Sequence, residues 1–156
     1  MVSLAERHRQ VGFTYLAALF LILIMGVMLG AVGKIWSTAQ QRENERELLF
    51  VGAQFREAIG KYYQGATGAE KAFPERLDDL LQDPRHVAVR RHLRKIYRDP
   101  MTGTTQWGLV VQNGRIAGVY SLSQLEPLKT GNFDKEDQAF ENAKDFSDWK
   151  FVYTPK

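Results

Sequence analysis

Val11-Gly12-Phe13-Thr14-Tyr15-Leu16 opens a run without a charged side chain that reaches Gly33, and Lys34 supplies the next charge. An α-helix rises about 1.5 Å per residue and needs roughly 20 residues to cross a hydrocarbon core about 30 Å thick. The run is long enough for that. The expectation is a transmembrane helix over 13–34, preceded by a short leader, 1–12, and followed by one soluble domain, 35–156.

The leader is polar, with Glu6, Arg7, His8, Arg9 and Gln10 ahead of Val11. A secretory signal would carry small residues in an Ala-x-Ala arrangement after its apolar stretch and lose that stretch on cleavage. No such site follows closely here. Instead, Gly12-Phe13-Thr14 stands at the mouth of the run, between leader and helix. This junction resembles the processing site of type IV prepilins and pseudopilins, and the likeness covers the leader and the first helix. It implies that a prepilin peptidase cuts after Gly12 on the cytoplasmic side and methylates Phe13. It also implies a single-pass protein of the bacterial inner membrane, its soluble domain in the periplasm, joining other pseudopilins in a helical filament on an inner-membrane assembly platform. The resemblance points first to a pseudopilin of a type II secretion system or a close relative. An uncleaved anchor bearing a periplasmic binding module, and a type IV or competence pilin, are the alternatives. Flanking charge alone decides little, because Arg7 and Arg9 precede the run while Lys34 and Arg42 follow it.

One position departs from the family pattern. The fifth residue after the cut is usually glutamate, and here it is Ala17. A carboxylate near the centre of a membrane helix costs about 2.5–3.5 kcal/mol on insertion scales, so it needs a partner, which in the family is a neighbour's terminal amine. Ala17 removes both the ion pair and its cost, and the resemblance then favours a minor or tip subunit over a main one. Gly26 and Gly30 form a small-xxx-small pattern that lets helix backbones approach closely, with Gly33 one turn on, although glycine is also ordinary in membrane helices. With Ala17 they are the candidate stem-packing positions.

Beyond the run the helical pattern continues. Ile35, Trp36, Ala39, Arg42, Arg46, Leu49, Ala53 and Ile59 recur at steps of three, four or six, which predicts one helix from about Phe13 to Tyr63 with Gly60, Gly65 and Gly68 as its breakers. Pro74-Glu75-Arg76-Leu77-Asp78-Asp79-Leu80-Leu81 predicts a short helix led by Pro74. Asp78 and Asp79 point about 100° apart on it and do not converge as an acid/base pair. This helix and the Asp99-Pro100-Met101-Thr102-Gly103 turn are similar to features of major-type pseudopilins.

Residues 85–98 hold a dense basic cluster without an acid: Arg85, Arg90, Arg91, Arg94, Lys95 and Arg98, with His86 and His92. Val89, Leu93, Ile96 and Tyr97 would make a narrow apolar stripe on a helix, leaving the cations solvated. The competing readings are contact with an acidic protein surface, for which Arg90, Arg91, Arg94, Lys95 and Arg98 are the candidate partner-binding residues, and binding of a polyanion such as DNA or lipid headgroups. Nucleic acid is the less favoured, since aromatic residues do not interleave the cations. The two histidines lack the i, i+4 spacing that puts two metal ligands on one helical face.

Trp107–Val111 and Arg115–Ser121 flank Asn113-Gly114, the strongest short-range hairpin signal in the chain. Trp149, Phe151 and Tyr153 fall on one face at period two and predict a third strand. The fold class is therefore α+β: a long N-terminal helix, membrane stem plus amphipathic half, packed by a small antiparallel sheet with short helices. Between strands, 128–148 is acid-rich. Were calcium bound there, Asp134, Asp137 and Asp148 would hold it, but the spacing fits no EF-hand, and no cofactor is expected. Phe133, Phe140 and Phe146 suggest a short helix instead. With no cysteine, no Gly-x-Ser-x-Gly and no phosphate loop, the sequence offers no nucleophile with its base, and an enzyme is not expected.

Overall fold

The computed structural model describes residues 11–66 and 71–155; for 11–13 and 29–35 it describes the backbone alone. The chain divides into two compact units, Met1–Gln40 and Gln41–Lys156. A single helix, α1, runs Val11–Gln64. Three strands follow, β1 (Gly108–Gln112), β2 (Arg115–Tyr120) and β3 (Phe151–Val152), in an antiparallel sheet of order β1-β2-β3. The α+β class expected from sequence is thus observed.

Within Gln41–Lys156, α1 buries Leu48, Val51, Phe55, Ala58, Ile59 and Tyr62. Steps of three and four between them keep one face toward the core. This stripe is displaced from the expected one, of which Trp36, Ala39, Arg42 and Arg46 are exposed. Arginines count toward a helical period but cannot anchor a core, which is why the displaced phase fails. Gly60 is no breaker. It sits inside α1, where a Cβ would run into the Tyr153 ring, as one on Gly52 would run into Phe151. The two glycines let the aromatics of the last strand reach the helix backbone. The helix ends at Gln64, and Gly65 N–H donates back to the Lys61 carbonyl at 2.9 Å; Gly68 lies outside the described residues.

The hairpin forms as predicted. Gln112 pairs with Arg115 across the two-residue loop, and Asn113 and Gly114 take φ of 52° and 76°, the left-handed pair a type I′ turn requires. A bulge between Val110 and Val111 shifts the register. The third strand is shorter than 149–153, because only Phe151 and Val152 pair with β2, yet Trp149 and Phe151 are fully buried as the alternation implied. Trp149 stacks on Phe140 at 5.5 Å and receives the edges of Phe133 and Phe146. Phe140 and Phe146 belong to one-turn 3-10 helices, Gln138–Phe140 and Phe146–Asp148.

The segment led by Pro74 also shortens, to a 3-10 turn at Leu77–Leu80. Pro74 is buried outside it, its carbonyl taking the Ile116 N–H at 2.8 Å. The Asp79 carboxylate accepts the Glu75 and Arg76 N–H groups, so it closes the turn rather than facing water unengaged. Asp99 behaves as turn chemistry predicts and more. Its buried carboxylate accepts from Met101 N–H, Thr102 Oγ1 and Ser121 Oγ, tying the loop to the end of β2, with Gly103 at φ 71°.

Candidate functional site

The N-terminal part of α1 gives the clearest candidate surface. Every side chain from Thr14 to Met28 is exposed, among them Tyr15, Leu16, Phe20, Leu21, Ile22, Leu23 and Met25. The exposure goes all the way round the helix, unlike the one-sided pattern of an amphipathic helix. Contiguous apolar patches beyond a few hundred Å² are rare on soluble monomers and mark surfaces that something covers. Ala17 is exposed, and a Cβ on Gly26 would meet nothing within 4 Å. The surroundings of Gly30 and Gly33, like the Phe13 side chain, lie outside what is described. Gly12 and Phe13 fall in the first turn of α1, and 1–10 of the leader lie outside the described residues. Among the described residues no helix is long and apolar enough to cross a membrane; the described side chains of the uncharged run stop at Met28.

The basic cluster corrects a second expectation, for residues 85–98 form no helix. Their backbone groups pair elsewhere: His92 and Leu93 N–H groups both reach the Leu80 carbonyl at 2.9 Å, and the Arg90 carbonyl accepts the Asp83 N–H at 3.0 Å. Tertiary contacts override the weak helical pattern. At the root sits a group of residues that sequence spacing did not connect. The Asp83 carboxylate is wholly buried and receives Arg85 through Nε at 2.8 Å and a terminal nitrogen at 2.7 Å, with His92 Nε2 at 3.0 Å. The Arg85 guanidinium also donates to the Tyr62 carbonyl at 2.7 Å and lies 3.6 Å from the centre of the Tyr62 ring. The hydrogen bonds from Arg85 hold the Asp83 carboxyl far below the usual carboxylate range, against the opposing effect of burial, and His92 adds to it. Burial in turn raises the Tyr62 phenol, and the Asp83 carboxylate raises the Arg85 guanidinium. The only sequence signal was an Asp-Pro-Arg turn ahead of two histidines.

Arg90, Arg91, Arg94, Lys95 and Arg98 are all exposed on this loop. Arg90 reaches His86 Nε2 at 3.3 Å, and Lys95 lies 5.4 Å from the Tyr97 ring centre.

The acidic residues 134–148 do not gather into a cation cage. Asp137 binds Arg56 at 2.5 Å, and Asp148 accepts the Lys144 N–H at 3.1 Å. The carboxylate of Asp134 makes no such contact among the described residues, although its carbonyl accepts the Asp137 N–H. Among the described residues, no group of three or more His, Cys, Asp and Glu is placed to hold a metal. Arg56, nine-tenths buried, also meets Glu136 at 3.1 Å and lies over the Phe151 ring. A groove of about 590 Å³ beside it, lined by Tyr63, Gln64, Lys71 and Tyr153, therefore presents a guanidinium already neutralised.

No family model matches the chain, and no curated protein or solved structure matches it either.

Proposed function

We propose that this chain is a structural, non-catalytic subunit of a type II secretion pseudopilus or a related type IV filament-like assembly, anchored in the bacterial inner membrane with residues 35–156 in the periplasm. Prepilin peptidase cuts after Gly12 and methylates Phe13. The observation that carries the reading is the Gly12-Phe13 junction at the mouth of an uncharged run whose side chains, from Thr14 to Met28, are exposed on every side. Such a surface is suited to lipid before assembly and to sister stems after it. Apolar burial contributes about 25 cal/mol per Å² in either setting, so moving a stem from bilayer to bundle is close to neutral in hydrophobic terms. A motor is then needed mainly to give direction. Ala17 in place of the usual glutamate supports a minor or tip position.

Co-expression with a prepilin peptidase tests this. Wild-type protein loses Met1–Gly12, whereas Gly12→Val stays intact. A cysteine introduced at Gly26, unique because the chain has none, cross-links sister stems only in the processed form. A membrane-anchored binding module is the second reading, favoured by the exposed cations of 90–98; it predicts an uncut chain and no stem cross-link.

A further inference from the structure

The five cations Arg90, Arg91, Arg94, Lys95 and Arg98 form no ion pair among the described residues. Their backbone is nevertheless fixed. The Asp83 and Leu80 hydrogen bonds hold one end, and Trp107 Nε1 donates to the Tyr97 carbonyl at 2.9 Å near the other. Leu93 is buried, while Ile96 and Tyr97 pack against the core, so anchors alternate with cations. A charged strip held this way loses little freedom when a partner arrives.

The same chain carries an acidic counterpart. Residues 134–148 hold Asp134, Glu136, Asp137, Glu141, Asp145 and Asp148 against Lys135 and Lys144. Glu136 and Asp137 are engaged by Arg56, whereas Asp134 and Glu141 are exposed and form no ion pair among the described residues. Arg56, which fixes the acidic segment, and Tyr62, which receives the basic loop through Arg85, lie about 120° apart around α1 at 100° per residue. The two segments therefore meet the helix from different sides.

We infer that the cationic strip 90–98 docks on the acidic segment 134–148 of a second copy of this chain. This rests on the filament-subunit reading. The contact joins two different surfaces, so it is heterologous and leaves one strip and one acidic segment free at its ends for a neighbouring subunit. Exposed ion pairs are individually weak and salt-sensitive, which suits an assembly that must form and come apart.

Full-length Arg94→Cys and Glu141→Cys chains, co-expressed in membranes with the peptidase, test the contact by oxidation. The mixed pair yields a cross-linked dimer and each variant alone does not. Arg91→Glu with Arg94→Glu lowers stem cross-linking through Gly26→Cys about tenfold, since like charges then face each other, and adding Asp134→Arg with Glu141→Arg restores it. Loss of the mixed dimer while Phe13 is still exposed and Gly26→Cys still cross-links would overturn this contact and leave the filament reading standing. A mixed dimer in a chain that keeps Met1 would instead sink the filament reading and retain the contact. Binding to phosphatidylglycerol vesicles that needs Arg91 and Arg94, without a mixed dimer, assigns the strip to lipid and overturns the proposal.

Discussion

Asp83 is a buried acid of the unit Gln41–Lys156 that ties two segments of the chain together. Its buried carboxylate is satisfied by Arg85 and His92 together, and these join the basic loop to α1 at Tyr62. Arg85 keeps access to water, so the main loss on weakening the carboxylate falls on the buried His92 ring. Asp83→Asn is therefore expected to lower urea-unfolding stability of the detergent-solubilised chain by about 1–3 kcal/mol. The pH dependence follows from the sign of the shift. A carboxyl whose folded-state pKa is depressed stabilises the fold above its ordinary value of 3.8, and that contribution fades as pH falls below it. The thermal midpoint of wild type should fall on acidification through that region, and Asp83→Asn should show a shallower fall. A second residue-level outcome concerns Gly52, where any side chain meets the buried Phe151 ring. Gly52→Val should cost about 1–3 kcal/mol by overpacking, visible as a lower denaturant midpoint, and Gly60→Ala should cost less because Tyr153 is only partly buried and can shift.

At the scale of elements, the hairpin and the long helix were legible because their signals are local. Asn113-Gly114 supplies the positive φ values that the turn needs, and Gly114→Val should destabilise the fold by about 1–3 kcal/mol, read as earlier urea unfolding with the β1–β2 amides losing exchange protection. The basic segment was not legible. Its residues fit a helical stripe, but the Leu80 carbonyl takes the His92 and Leu93 N–H groups and the Asp83 N–H takes the Arg90 carbonyl, so partners earlier in the chain capture the backbone groups a helix would have used. The face of α1 was misplaced for a related reason: two arginines kept the period while Leu48, Val51, Phe55 and Tyr62 faced the core. Gly60 looked like a breaker because close packing against Tyr153 cannot be read from neighbours in sequence. The candidate stem surface was legible as composition, an uncharged run, and its all-round exposure between Thr14 and Met28 agrees with that composition. Gly26→Leu should leave the urea midpoint of the soluble unit unchanged, since nothing lies within 4 Å of the position, while reducing stem cross-linking through a neighbouring thiol. Unchanged cross-linking would remove Gly26 from the packing face.

At the scale of the whole molecule, the proposed filament subunit has a trimmed apolar stem and a second unit whose charged faces can meet those of its copies. Stem and soluble unit make separable predictions: cleavage depends on residues 12 and 13, and lateral contact depends on 90–98 and 134–148. The claim on which the filament reading rests is that the mature chain begins at Phe13. Intact-mass and N-terminal sequence measurement of the protein purified from its native membranes tests it most directly. The expected product is a chain lacking Met1–Gly12 and starting with N-methylated Phe13. A chain that still starts at Met1 would contradict it.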